Sequence, residues 1–189
     1  FTESSNYKPS SPYSASKASS DLLVQSWART FNLDYVITNC SNNFGARQHT
    51  EKLIPTVIRK IINNQKIPIY GDGLNIRDWI YAKDHAQAII SIHEHNVINE
   101  RINIGGDHEI SNLSLVKDIL TMMDCDEDLL EFVDDRPGHD LRYSLDSSKI
   151  RHFLKWNNEV TFDDGIKRTI DWVLKQSHAK HLDQDALNP

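Results

Sequence analysis

Several things are scarce or missing in this 189-residue chain, and each absence excludes something. There are 2 cysteines, Cys40 and Cys125, far apart in sequence. That excludes a disulfide framework and fits a reducing cytoplasm, with both thiols most simply read as buried small hydrophobes. No apolar run approaches the roughly 20 residues that span a bilayer, so no membrane partner is expected. Lys and Arg total 21 against 27 Asp and Glu, a formal net charge of -6. No basic excess marks a nucleic-acid surface, and no nucleic-acid partner is expected. His93 and His95 sit two apart and face different ways on a helix, and no Cys/His ligand pattern joins them or His178 and His181, so no metal site is expected. No Gly-x-Ser-x-Gly elbow supports a serine nucleophile. Among the 7 glycines none forms a Gly-x-Gly-x-x-Gly turn; a dinucleotide's pyrophosphate turn would lie outside these residues. The start Phe1-Thr2-Glu3 leads without methionine into polar loop residues, and the expectation is that an N-terminal portion of a larger fold is absent.

What is present is ordinary globular material, 39% apolar and 25% charged, enough for a sizeable core. Helical spacing of Leu22, Leu23, Trp27 and Phe31 predicts a helix from Pro12 to about Phe31. Asp34 to Cys40 reads as a strand and 41–45 as a loop. A helix from Leu53 to Asn64 precedes a strand at Ile67 to Tyr70, where Pro68 implies an edge or first-residue position. Gly71-Asp72-Gly73 is a turn, Arg77 to Tyr81 a strand, and Asp84 the N-cap of a helix to about His95. Then come a strand from Arg101 to Gly105, a helix capped by Ser111 or Asn112, a strand from Leu130 to Val133 and a short strand from Arg142 to Leu145. Helices from Ser147 to Leu154 and Phe162 to Lys175 follow, with a polar, fraying tail from His178 to Pro189. Strands alternating with helices predict an α/β fold with largely parallel strands.

The densest chemical signal lies at the first helix. Ser10 and Ser11 supply N-cap candidates, Pro12 suits the first helical position, and Tyr13 and Lys17 are four apart on one face. A phenol ionises near pH 10, and a nearby ammonium lowers that value. The pair can therefore take a proton from a sugar or alcohol hydroxyl, or be ordinary surface residues of a capped helix. Asn42-Asn43 follow a strand, where side-chain amides either meet a ligand or close an Asx turn. Glu51-Lys52-Leu53 open a helix whose N-terminus attracts phosphate, or form a solvated first turn. Pro68-Ile69-Tyr70 with Arg77 can stack a base and clamp a phosphate, or make a plain hairpin. Asp135-Arg136-Pro137-Gly138-His139-Asp140 presents a preset arginine that suits a diphosphate, or a turn with surface charges.

Taken in order, these segments resemble the dTDP-glucose 4,6-dehydratases, extended short-chain dehydrogenase/reductases. The resemblance rests on residues 11–21, 39–45, 51–55, 68–73, 77–81, 103–106 and 135–140, and runs from Phe1 to about Leu174. It implies the C-terminal part of an NAD-binding Rossmann fold, a parallel sheet with flanking helices, in residues 1–50. Residues 51–177 would be mainly a smaller α/β nucleotide-sugar-binding domain, with some segments returning to the Rossmann domain, and 178–189 a tail. The implied cofactor is NAD, the substrate dTDP-glucose, the assembly a homodimer and the location cytoplasmic. By similarity Tyr13 takes the proton from the carbon 4 hydroxyl, and Lys17 binds the nicotinamide ribose. Water then leaves across carbons 5 and 6, giving a 4-keto-6-deoxy sugar. Asn43 would touch NAD and Asn42 the substrate. Lys52, Leu53, Pro68, Ile69, Tyr70, Arg77, Asn112, Asp135, Arg136, Pro137, Gly138 and His139 would line the nucleotide and diphosphate site, Arg77 and Arg136 at the diphosphate. Leu22, Val24 and Trp27 are candidates for a dimer face or for packing within the domain.

The departures from the family pattern are the missing glycine-rich turn and the Thr-Asp-Glu segment whose carboxyls perform the dehydration. A chain beginning at Phe1 is therefore expected not to turn over by itself. Ala46 also stands where a proline commonly follows Gly45. A UDP-glucose 4,6-dehydratase, an epimerase or a UDP-glucuronate decarboxylase of the same superfamily are the enzyme alternatives; one methyl on the base discriminates by only about 1–3 kcal/mol. A non-catalytic nucleotide-sugar-binding or dimerisation module is the alternative of another class.

Overall fold

The computed structural model describes residues 1–135 and 137–185, with side chains through Ser177. Fifteen elements alternate as an α/β fold. The first helix, α1 (Pro12–Phe31), begins where Ser11 Oγ accepts from Ser14 N at 3.1 Å and Pro12 fills the first turn. It ends at Asn32 in the left-handed region, φ 52°, where an asparagine is tolerated. Strand β1 (Val36–Cys40) pairs in parallel with β5 (Glu100–Ile104), bringing Cys40 opposite Ile104. Strand β2 (Asn42–Phe44) pairs in parallel with β4 (Ile76–Tyr81). The opposite end of β4 carries β6 (Glu109–Ser111), antiparallel, and β8 (Arg142–Tyr143), parallel. Strand β3 (Ile67–Tyr70) pairs in parallel with β7 (Leu130–Val133), which puts Pro68 on an edge strand.

The helices pack on these strands through two apolar clusters. One joins Phe44, Ile67, Ile69 and Trp79 to α2 (Leu53–Ile62), α4 (Asn112–Met122) and α6 (Phe162–Asp185). The other joins Ile80, Ile102 and Ile104 to α3 (Ala82–Glu94) and α5 (Ser148–Leu154). Asp78 is fully buried between them, accepting from Gly106 N at 3.0 Å and His108 N at 2.9 Å. A Cβ on Gly106 would overlap the Trp79 carbonyl, so only glycine lets this loop cross β4.

Several expectations are corrected. Residues 42–44 are a strand, because β4 offers them a ladder that no local pattern reveals. Asp84 does not cap α3: it is buried in the first turn and accepts from Val160 N at 3.1 Å. Segments 67–70 and 76–81 make no hairpin, since each pairs elsewhere. Strand β6 was not foreseen, β8 is shorter than expected, and α6 continues past Lys175 to Asp185. The fraying expected from His178 is not seen as far as Asp185, where the backbone is still helical, and residues 186–189 lie outside the described ones. Both cysteines are free and only partly buried.

Candidate functional site

The N-cap of α1 fixes where Tyr13 and Lys17 point. Tyr13 lies one residue past Pro12 and is 74% exposed. Two electrostatic neighbours locate the pair. The Tyr13 phenol helps to raise the Tyr143 phenol, after burial and the charges of Cys40, Asp78 and Asp140. Burial raises the Cys40 thiol, and the Asn43 amide and then the Lys17 ammonium partly offset it. Tyr143 Oη donates to the Cys40 carbonyl at 3.3 Å. Tyr143 and Asn43 thus meet at Cys40, the carboxyl end of β1, within electrostatic reach of Tyr13 and Lys17. Ends of parallel strands are where α/β sheets present ligand-binding groups.

Asn42 and Asn43 are adjacent on a strand, so their side chains leave on opposite faces. Asn43 points to the Cys40 side. Its Nδ2 donates to Ser41 O at 3.1 Å, and its Oδ1 lies 2.9 Å from His85 Nδ1. Gln48 Nε2 donates to its carbonyl at 2.8 Å. One strand thus offers an amide to each side of the sheet.

The second cluster is the loop after β7. His139 is enclosed, its side chain 4% exposed, and its Nδ1 lies 2.8 Å from Asp135 Oδ1. Asp135 also faces Gly71 at the end of β3. The Asp140 carbonyl accepts from Arg77 at 2.8 Å and from Asn75 at 3.2 Å, while Ile76 N donates to Leu141 O at 2.8 Å. Asn112, opening α4, donates from its backbone to Asn75 O at 3.0 Å. Ser10 Oγ donates to Asp140 Oδ1 at 3.2 Å, which ties the loop to the start of the Tyr13 helix. The structure thus joins Arg77, Asn112, Asp135, Gly138 and His139 around one loop that is tied through Ser10 to the start of α1. Gly138 takes φ 71°, with Pro137 exposed before it. Arg136 lies outside the described residues.

The remaining candidates have mixed positions. Tyr70 is exposed at the end of β3, and Pro68 is half-buried on that strand. Ile69 is 2% exposed, and its side chain serves the core. Lys52 is the exposed N-cap residue of α2 and makes no side-chain cap bond, leaving the helix N-terminus open to an anion; Leu53 packs partly against the core. Arg77 is buried and donates to Ile76 O at 2.7 Å as well as to Asp140 O, so it builds the loop before it meets any ligand. Sequence reasoning missed Cys40, Tyr143 and His85. Only their tertiary placement marks them, and no local motif contains all three. Among the described residues no group of three His, Cys, Asp or Glu is placed to hold a metal, and no helix is long and apolar enough to cross a membrane.

Comparison with known proteins adds the family context. Residues 1–169 match the family model described as GDP-mannose 4,6 dehydratase. A dTDP-glucose 4,6-dehydratase of Haemophilus influenzae is 49% identical over 188 residues, covering 94% of this chain and 56% of that protein. A dTDP-glucose 4,6-dehydratase of Escherichia coli is 48% identical, over 92% of this chain and 51% of that protein. The chain spans about half the length of the curated relatives it matches. Among solved structures, a Streptomyces venezuelae dTDP-glucose 4,6-dehydratase with NAD and TYD bound superposes with TM-score 0.91 at 42% identity, over 94% of this chain and 55% of that one. A Bacillus cereus UDP-glucuronic acid 4-epimerase superposes with TM-score 0.85 at 26% identity, over 89% of this chain and 54% of that one.

Proposed function

Because the chain belongs to the GDP-mannose 4,6 dehydratase family, we propose that it carries the proton-transfer and substrate-holding part of an NAD-dependent dTDP-glucose 4,6-dehydratase. The convergence of Tyr13, Lys17 and Asn43 on the end of β1, walled by the 135–140 loop, carries this reading. The identity of up to 49% with dTDP-glucose 4,6-dehydratases supports the hexose and the base.

The residues present fit the redox end of NAD. An exposed phenol, an adjacent ammonium and an amide oriented by His85 line one strand end. Lys17 would hold the nicotinamide ribose and Asn43 the ring. When bound, NAD supplies the reversible two-electron acceptor. Tyr13, in its phenolate form, would take the proton of the carbon 4 hydroxyl and become a neutral phenol, and the Lys17 ammonium favours that phenolate beforehand. His139, locked by Asp135, and the loop backbone hold the nucleotide diphosphate next to Tyr13, with Arg77 fixing the loop and Arg136 and Lys52 adding charge. Tyr70 stacks on the base. Asn42, on the opposite face of β2 from Asn43, reaches the substrate. Elimination of water needs a proton donor and acceptor at carbons 6 and 5, which we assign to carboxyls outside these residues.

We place residues 1–50 with β5, α3 and α5 in a cofactor-binding domain, and most of 51–177 in a nucleotide-sugar domain. The cluster that joins Val36 and β5 to α3 and α5 supports the first grouping, while Phe44 packs in the other cluster. Two free cysteines support a cytoplasmic location. Exposed Leu22, Val24 and Trp27 support a homodimer through α1.

The test is a single-turnover assay of the intact protein with dTDP-glucose and with UDP-glucose, following the alkali-induced absorbance of the 4-keto-6-deoxy product. Faster product from dTDP-glucose is expected. A 4-epimer or a pentose in its place assigns the chain to a sister activity. No conversion together with no bound NAD indicates a non-catalytic binding module.

A further inference from the structure

We propose that His85 is a positioning residue: through Nδ1–H it holds the Asn43 amide with its oxygen turned to α3 and its NH2 turned to the Cys40–Lys17 side. The inference deepens the reading above and rests on it, in that Asn43 is taken to face the cofactor.

Donor and acceptor bookkeeping carries the assignment. Asn43 Nδ2 lies 3.1 Å from the Ser41 carbonyl, which can only accept. The amide also lowers the Cys40 thiol, the effect of a donor facing sulfur. Both observations turn the NH2 away from His85 and leave Oδ1 facing it at 2.9 Å. An amide oxygen needs a donor there, so Nδ1 carries the hydrogen. Burial holds His85 below the usual histidine range, so at neutral pH the ring has one hydrogen, and it is on Nδ1. Nε2 is then a bare acceptor, in accord with its burial without a partner among the described residues.

The fold supplies the geometry from sequence upward. Asn43 is opposite Ile80 in the β2–β4 ladder, and β4 runs directly into α3, whose first turn holds His85. Gln48 grips the Asn43 carbonyl from the loop beyond. Asn43 is therefore fixed at the backbone by β4 and at the side chain by α3. Without His85 the amide loses the partner of its oxygen and is held only by the Ser41 carbonyl at its NH2 end, so its aim loosens. Asp84, the neighbouring residue, has a separate duty in holding Val160 N.

The experiment has a spectroscopic and a kinetic arm on the intact protein. Histidine-selective two-bond 1H–15N NMR on the wild type should show a neutral Nδ1–H tautomer that disappears in His85→Asn. His85→Asn places an amide N–H where Nδ1–H stood and should keep kcat within about threefold. His85→Gln, which mimics Nε2, should lower kcat by roughly 10- to 100-fold with KM for the sugar little changed, as expected when a group near the reacting atoms is misplaced by about 1 Å. Bound NAD, read after denaturation, should fall in the same order. An Nε2–H tautomer, or a His85→Gln variant at least as active as His85→Asn, would overturn the proposal. A wild type without turnover or bound NAD overturns the functional reading and the positioning role with it; the Nδ1–H signal then reports on α3 and β2 alone.

Discussion

Tyr13 sits where it does because of its neighbours in sequence. Ser11 caps, Pro12 presets the first turn, and the phenol is delivered beside Tyr143 at the end of β1. Tyr13→Phe keeps the ring and removes the proton acceptor. It should lower kcat by about 10²- to 10⁴-fold, with nucleotide-sugar binding by calorimetry unchanged; an equal loss of binding would mean the ring only packs. Lys17 has a readout independent of turnover. Its ammonium lowers the Cys40 thiol against the larger effect of burial. Lys17→Met should therefore shift the pH profile of Cys40 alkylation upward, slowing modification at any fixed pH below the thiol's pKa. An unmoved profile would separate Lys17 from β1. Ser11→Ala should cost about 1 kcal/mol of stability in denaturant unfolding.

At the scale of elements, β4 is the organiser, with β2 on one half and β6 and β8 on the other. A bidentate pair spans that second half: Arg142 Nε and a terminal nitrogen each meet Glu109 at 2.7 Å, and Ser144 joins at 2.8 Å. Arg142, then Ser144, hold the Glu109 carboxyl below its usual range. A depressed acid contributes stability above its unfolded value and loses it as pH falls through its folded value. The melting temperature should thus drop on acidification below the ordinary glutamate range, and Glu109→Gln should flatten that limb. An unchanged acid limb would show the pair contributes nothing measurable. Most of the strand–helix order was legible because apolar period and caps are local; a helix expected from Pro12 to about Phe31 spans those residues. Residues 42–44 were not, since three polar or aromatic residues become a strand only when β4 lies alongside. Asp84 looked like a cap because its true partner, Val160 N, is remote in sequence. The same holds for the site. Tyr13 and Lys17 announce themselves at i and i+4, whereas Cys40, Tyr143 and His85 are recruited by packing.

For the whole molecule, the unresolved energetic question is α1. Of its 20 residues only Ala28 is buried, while Leu23, Trp27 and Phe31, spaced by four, form one stripe, with Trp27 56% exposed and its ring 4.8 Å from Phe31. Covering three such side chains is worth about 1.5–3 kcal/mol each, whereas association costs roughly 4–15 kcal/mol. One stripe against a bland surface, about 4.5–9 kcal/mol in all, meets only the lower part of that cost. Two copies packing the same stripe across a twofold axis double the gain, because an isologous contact buries both. Trp27→Glu in the intact protein should therefore halve the mass seen by sedimentation while leaving the melting temperature at low protein concentration nearly unchanged. If the mass stays and the melting temperature falls instead, the protein's own residues cover the stripe, and α1 is an interior helix rather than the seam of a dimer. The distinction also bears on catalysis. Tyr13 and Lys17 ride on the same helix, so a seam here would tie the position of both side chains to the dimer contact, and the turnover of the monomeric variant measures that coupling.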